Sequence, residues 1–301
     1  MALEITILGT SSMVPTKERN VQSIHLDYKG EGILFDCGEG TQRQMNIAGI
    51  NRVKVRRILI SHWHGDHVSG LIGLIQTLGN SKDVSELSIY GPLGTKQFMN
   101  NLLRSCIFDL TVSLEIVELD FDERKVFFEC ENYYLEAAPL NHGVPCLGYS
   151  FVEKDRRKIN MQKAKKLGLD EGPMLKNIQN NLPIKLKDKI IMPDDISTIQ
   201  KGKKITLIAD TSFSANAEAL AEGADVLICE ATYERKEEEK ANQYSHLTSE
   251  QSALIASRAG VEKLVLTHFS QRYKELDTLL DEAKTIFPNS SLAFDFMKIK
   301  L

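Results

Sequence analysis

At 301 residues the chain is long enough for two domains by length alone, although single α/β domains of this size are common. Its 42% hydrophobic and 26% charged residues are those of a soluble globular protein, and no apolar run approaches the roughly 18 residues a membrane span needs. Five scattered cysteines without a Cys-x-x-Cys pair offer neither a disulfide framework nor a thiolate zinc site. The N-terminus has no basic or cleavable apolar segment and reads directly as a strand, so the expectation is a cytoplasmic protein with no membrane partner.

Residues 3–8 alternate apolar and polar, as a half-buried strand does. A loop over 9–20 follows and contains Pro15-Thr16-Lys17-Glu18-Arg19-Asn20. Strands are predicted at 23–27 and 32–35. Asp36-Cys37-Gly38-Glu39-Gly40-Thr41-Gln42 then leads into a helix to about Ala48, with Gly49 as its stop. Residues 53–60 form an Ile/Val-rich run that reads as a buried strand. Ser61-His62-Trp63-His64-Gly65-Asp66-His67 comes next, and an apolar helix is expected over 68–78. Three of the chain's seven histidines fall in the hexapeptide His62–His67. His62 and His64 are two apart and project to one side of an extended segment. Neutral imidazole and carboxylate at this density suit zinc.

Further on, strands are expected at 86–90, 114–118, 125–128, 133–139 and 147–151, and a helix from Gly91-Pro92 to about Leu103. His142 follows the strand at 133–139. Strands at 204–209, 226–229 and 264–266 end at Asp210, Glu230 and Thr267-His268 respectively. An acidic loop is expected over 234–242, and a helix opens near Ser245-His246 and runs to about Ala259. A last helix (274–286) and two short strands close the chain. Alternation of short strands and helices implies a layered α/β architecture.

The stretch from 153 to about 195 breaks this pattern. It is Lys-rich, poor in aromatics, and holds Gly172-Pro173, Pro183 and Pro193. Between 153 and 189 eleven basic residues outweigh five acidic ones, a charge of +6 inside a chain whose net charge is −4. It reads as an inserted arm with a short helix over 160–167, and a basic module on an acidic body points to a polyanionic partner.

A His-x-His-x-Asp-His run after a hydrophobic strand resembles the signature of metallo-β-lactamase-fold hydrolases. Ends of strands converge on one rim of a layered α/β protein, which collects His62, His64, Asp66, His67, His142, Asp210 and His268. Those donors suffice for two zinc ions if Asp210 bridges, with a shared water between them made acidic enough to attack as hydroxide near neutral pH. Asp66 can take the proton of the nucleophile. His246 is the histidine left near the predicted site, His25 lying mid-strand, and is the candidate general acid, with Glu230 to orient it.

Across essentially the whole chain the resemblance sharpens to the tRNase Z family, endonucleases that remove the 3′ trailer of precursor tRNA. Leu8-Gly9-Thr10-Ser11-Ser12 with the Pro15–Asn20 loop, the Asp36–Gln44 segment, Ser61–His67, Asp210-Thr211, Glu230-Ala231-Thr232, His246-x-Thr248 and Thr267-His268-Phe269-Ser270-x-Arg272-Tyr273 match that family's motifs in order. The resemblance implies one αββα four-layer domain over 1–301 with a flexible basic arm over 153–195 that binds tRNA. It implies two Zn2+ per subunit: His62, His64 and His142 on one, Asp66, His67 and His268 on the other, Asp210 shared. Asp66, Glu230 and His246 would be catalytic. Lys17, Arg19, Asn20 and Arg272 would face the substrate's 3′ end, and Gly172 and Pro173 would belong to the arm's tRNA grip. It also implies a homodimer. Two departures stand out: Cys229 occupies a position where the family often has His, and Met174-Leu175-Lys176-Asn177 replaces Leu-Tyr-Gly-Lys. The rival readings are a general zinc phosphodiesterase of the same fold, which needs neither the arm nor the Pro15–Asn20 loop, and a zinc-stabilised tRNA-binding protein without turnover, which would have lost a ligand or His246.

Overall fold

A computed structural model describes residues 3–81, 86–186 and 189–301. Two seven-stranded sheets organise the larger of two compact units, which comprises Met1–Phe128, Leu135–Phe151 and Lys204–Leu301. In the first sheet the strand order is Lys298–Lys300, Leu3–Gly9, Ser23–Tyr28, Glu31–Phe35, Val55–Leu59, Glu86–Gly91 and Ser113–Glu118. Its first half is antiparallel, with Lys298–Lys300 returning from the other end of the chain to pair with Leu3–Gly9; helical crossovers make the half from Glu31–Phe35 onward parallel. The second sheet runs Ser290–Leu292, Leu264–Thr267, Val226–Glu230, Lys204–Ile208, Val144–Glu153, Tyr133–His142 and Lys125–Glu129.

Each sheet carries helices on one face. Helix Leu71–Gly79 buries Leu71, Leu74, Ile75 and Leu78 against Leu34, Ile58 and Ile89 of the first sheet. Helices Ala215–Ala221, Ser249–Arg258 and Asp277–Ile286 cover the second through Leu227, Cys229, Leu264 and Leu266. The other faces meet each other through aromatic pairs, Tyr28 with Phe151 at 5.1 Å and Phe35 with Tyr149 at 6.5 Å. Tyr149 also donates its hydroxyl to the Ile60 carbonyl at 2.7 Å, so its polar end is satisfied where its ring is buried. Helix, sheet, sheet, helix is the expected αββα layering.

Local departures from expectation have identifiable causes. The run at 53–60 starts as a 3-10 turn, Arg52–Lys54, capped by Asn51, and only Val55–Leu59 is strand. The helix expected over 68–78 is two, Gly65–Val68 and Leu71–Gly79, because the Gly70 amide leaves the helix to bond the Cys37 carbonyl at 2.9 Å. Residues 234–242 are not an open acidic loop but a 3-10 turn, Arg235–Glu237, and a helix, Glu238–Gln243. Glu237 is held by Lys240 and Arg272, both at 2.8 Å, and Ala241 is fully buried. Strand Tyr133–His142 runs three residues past its expected end, so His142 terminates it rather than following it.

The smaller unit comprises Glu129–Tyr134 and Val152–Lys203. Strands Arg156–Ile159 and Ser197–Gln200 pair antiparallel at its base. Ala164, Leu169, Leu175, Ile178, Ile184, Ile191 and Ile196 make a core of its own. The expected short helix is Met161–Lys166, with Asn160 accepting the Lys163 amide as its N-cap. Gly172 and Pro173 are exposed and accept from the amides of Leu175 and Lys176 at the start of helix Leu175–Gln179. Lys163, Lys165, Lys166, Lys176, Lys185 and Lys189 are exposed. Lys187 and Asp188, two charges of the basic stretch, lie outside the described residues.

Candidate metal centre and active site

All seven expected donors gather on one rim of the larger unit. His62, His64, His142 and Asp210 form one group and Asp66, His67 and His268 another, with ligand atoms in each group within 4.8 Å of one another. Asp210 joins them. Its Oδ2 lies 3.7 Å from both His62 Nε2 and His142 Nε2, and its Oδ1 lies 3.5 Å from His67 Nε2 and 3.2 Å from His268 Nε2. In the first group His64 Nδ1 approaches His62 Nε2 at 2.9 Å and His142 Nε2 at 3.2 Å. In the second, Asp66 Oδ2 lies 3.4 Å from His67 Nε2 and 3.7 Å from His268 Nε2.

Backbone geometry explains the convergence. Strand Val55–Leu59 delivers Ser61 and the histidine run, and Gly65 starts a short helix that turns Asp66 and His67 back toward the rim. Strands ending at His142, Ile208 and Thr267 deliver His142, Asp210 and His268. Gly38 lets the segment after Asp36 pass against the Asp66 carbonyl, where a Cβ would collide with it. Asp36 and His268 both hold positive φ, +55° and +58°, conformations that non-glycine residues keep only where the surroundings enforce them.

Four histidines have their outer nitrogen fixed. His62 Nδ1 donates to Ser61 Oγ at 3.0 Å, His67 Nδ1 to Asp36 Oδ2 at 2.8 Å, His142 Nδ1 to the Ser245 carbonyl at 2.9 Å, and His268 Nδ1 to Thr232 Oγ1 at 3.0 Å. A proton on Nδ1 leaves the lone pair on Nε2, facing the centre, which is the tautomer a metal needs. His67 Nε2, His268 Nε2 and Asp210 Oδ1 are buried without a hydrogen-bond partner. Unpartnered buried lone pairs converging on one space are what a cation would satisfy, and the N/O donor set fits zinc. Burial opposes charge on His67, but Asp210 and Asp36 outweigh it and hold its pKa well above the usual histidine value. Burial likewise opposes the charge on Asp66, yet His268 and His67 keep its carboxyl ionised far below the usual range.

Beside these groups lie Glu230 and His246, hydrogen-bonded to each other. Glu230, fully buried at the end of its strand, accepts from His246 Nδ1 at 3.1 and 3.2 Å, from the Thr211 amide at 2.7 Å and from the Thr232 hydroxyl at 2.5 Å. Burial works against a charged His246, but Glu230 and then Asp210 prevail and push its pKa up to about 9. His246 therefore carries a proton at neutral pH, and with Nδ1 held by Glu230 it has Nε2 to give one away.

The four outer candidates have different surroundings. Lys17 is exposed on its loop. Arg19 turns inward, donating to the Tyr273 carbonyl at 2.8 Å and the Ser270 carbonyl at 3.5 Å. Asn20 bonds the Glu39 carbonyl and, through its amide, Asp295. These two brace the loop. Arg272 lines the cleft, paired with Glu237 and lying over the Tyr233 ring at 5.1 Å. The cleft measures about 1090 Å³ and runs past Met13, His64, Asp66, His246, Tyr244 and Arg272. Cys229 faces the apolar core of the second sheet, away from the His/Asp cluster. Asp36, Ser61 and Thr232, to which the sequence assigns no role, orient the donor histidines. Their sequence signal is membership in the matching motifs, which assigns them no role of their own.

Two facing sheets with a His/Asp cluster on their rim define a metallo-β-lactamase-fold protein with a candidate metal centre. The family model for a β-lactamase superfamily domain matches residues 196–269, and that for the anti-Pycsar protein Apyc1 matches residues 3–137. A ribonuclease Z of Methanothermobacter thermautotrophicus is 40% identical over 300 residues, covering 99% of this chain and 97% of its own, and one from Bacillus cereus is 38% identical over 302, covering 97% of each. The crystal structure of the short form of human tRNase Z is similar with a TM-score of 0.71 and 28% identity over 98% of each chain. The chain belongs to the ribonuclease Z family.

Proposed function

We propose that this chain is the endoribonuclease that cuts precursor tRNA 3′ of the discriminator nucleotide, removing the 3′ trailer and leaving a 3′-hydroxyl on the tRNA. The observation that carries this is a His/Asp donor cluster with His246 held at 3.1 Å by the buried Glu230 beside it, in a chain that matches ribonuclease Z over 99% of its length. His62, His64 and His142 would hold one zinc, Asp66, His67 and His268 a second, and Asp210 would touch both. Bound there, the metals supply Lewis acidity for the attacking water and charge for the phosphate. The chain's own residues do the rest. Asp66 accepts the proton of the attacking water. His246, kept cationic by Glu230, protonates the departing oxygen. Lys17 and Arg272 meet the RNA near the cut, while Arg19 and Asn20 hold the loop that presents Lys17.

The same reading makes residues 1–301 one catalytic domain with an inserted arm over 153–195. The arm's exposed lysines, with Gly172 and Pro173 at a turn, offer phosphate-backbone contacts. A cytoplasmic homodimer is part of the proposal. Among the described residues no helix is long and apolar enough to cross a membrane.

Cleavage of an end-labelled precursor tRNA tests it. Metal-loaded wild type should cut just after the discriminator and Asp66→Ala should not. Loaded protein that hydrolyses a small phosphodiester but leaves the precursor whole would refute the tRNA reading.

A further inference from the structure

The loop between the short strand Ser11–Ser12 and Asn20 reaches the centre through its backbone. The Met13 amide donates to Asp66 Oδ2 at 2.8 Å. That same oxygen faces His67 Nε2 and His268 Nε2. Met13 adopts φ +60°, a left-handed conformation that a side chain with a Cβ resists, yet its own side chain is 76% exposed and gains no packing there. Bonds along the loop hold it instead. Ser11 Oγ donates to the Val14 carbonyl at 2.7 Å and the Val14 amide to the Ser12 carbonyl at 2.6 Å. Arg19 ties the far end to the Tyr273 carbonyl. Ser11–Ser12 also pairs in parallel with Phe269–Ser270, next to His268. One loop thus adjoins two members of one donor group, Asp66 by a direct hydrogen bond and His268 by a paired neighbour.

We propose that Met13 is a positioning residue: its peptide N–H fixes the rotation of the Asp66 carboxylate, so the conformation of the 11–20 loop sets turnover as well as contact with substrate. The loop lines the cleft with Met13, so a chain lying there bears on the peptide that holds Asp66. This rests on Asp66 being the proton acceptor proposed above. What matters is the backbone conformation, so the property that should govern activity at position 13 is tolerance of positive φ, not side-chain size or polarity.

The test is a series at one exposed position in the full-length, metal-loaded protein: Met13→Gly, Met13→Asn, Met13→Ala and Met13→Val, with Asp66→Ala as reference. The readouts are kcat and KM for bis(p-nitrophenyl) phosphate, zinc retention against a chelator, and the melting temperature. Gly and Asn accept left-handed φ and should keep kcat within about twofold of wild type, whereas β-branched Val should lower it by roughly tenfold. KM should stay nearly constant, zinc should be lost more readily from Val than from Gly, and every variant should remain folded at the assay temperature even where strain lowers its melting temperature. Equal kcat across the series overturns the proposal while leaving an inactive Asp66→Ala, and hence the role of Asp66, intact. Loss of activity in Gly as large as in Val, or change confined to KM, also overturns it by assigning the effect to the side chain. An active Asp66→Ala removes the reading beneath it. Because the probe is not RNA, failure of the tRNA assignment is seen separately, in the precursor assay.

Discussion

Asp36 shows how a residue outside the donor set governs it. Its Oδ2 accepts from His67 Nδ1 at 2.8 Å and from the Ser61 hydroxyl at 2.8 Å, and its Oδ1 accepts from the Ser61 amide at 2.7 Å. One carboxylate therefore fixes His67 directly and His62 through Ser61. Asp36→Asn keeps the shape but can offer His67 an N–H where it needs an acceptor. Zinc affinity should fall by about 10- to 100-fold in a chelator competition, with little change in fold. A proton that Asp210 and Asp36 keep on His67 must also leave before Nε2 can ligate, so metal uptake should release protons and weaken as the pH falls. Isothermal titration in two buffers of different ionisation enthalpy measures that release. At Glu230 the sign is opposite to a simple loss. Its charge raises the His246 pKa, so the acid form dominates below about pH 9 and activity should decline as the pH rises through that value. Glu230→Gln should shift that alkaline limb to lower pH in a kcat–pH profile, beyond any uniform drop in rate.

At the scale of elements, what the sequence disclosed follows from where the signal resides. Strand Val55–Leu59 and the four donors after it are local, so composition and spacing betray them together. His142, Asp210 and His268 are scattered, but each lies at a strand end, and strand ends converge in a layered sheet. Helix Glu238–Gln243 is hidden because an acidic sequence reads as a solvated loop until Arg272, 35 residues beyond its partner Glu237, supplies a countercharge. Thr232 and Asp36 act through other residues, and Met13 acts through its peptide, for which no sequence pattern exists. The split of the helix after the histidine run depends on the Cys37 carbonyl, a tertiary partner. Leu74 tests how far the surviving helix matters. It is fully buried in the core cluster that joins Leu71–Gly79 to the first sheet, so Leu74→Ala should cost about 2–5 kcal/mol in chemical denaturation.

For the molecule as a whole, charge is divided unevenly along the chain. Residues 153–189 carry +6 while the rest of the chain is acidic, so removing the arm should lower precursor affinity and flatten its dependence on salt. Hydrolysis of a small phosphodiester should survive. Binding measured between 50 and 200 mM salt for wild type and the deletion distinguishes this from a general loss of folding. A second whole-molecule property lies away from the cleft. His25, mid-strand and buried, has its pKa pushed down to about 4 by desolvation, its ring lying over Gly32, where a Cβ would meet Nε2. The native ring stays neutral until about pH 4, whereas in the unfolded chain it protonates near its ordinary value. Stability should therefore fall by about 3 kcal/mol as the pH drops from roughly 6.5 to 4. His25→Gln should reduce that slope in urea melts, even if it lowers stability overall.

The bridging of both groups by Asp210 has a bearing on biosynthesis. His62, His64, Asp66 and His67 leave the ribosome together, but Asp210 emerges more than 140 residues later and His268 later still. Until then the first cluster lacks the carboxylate that would hold two cations side by side and the last imidazole of the second group. A nascent chain can therefore capture metal only loosely. If the cluster holds metal as proposed, selection of the ion would be deferred until both sheets have closed, when the free-metal pool rather than the order of synthesis would decide what is bound.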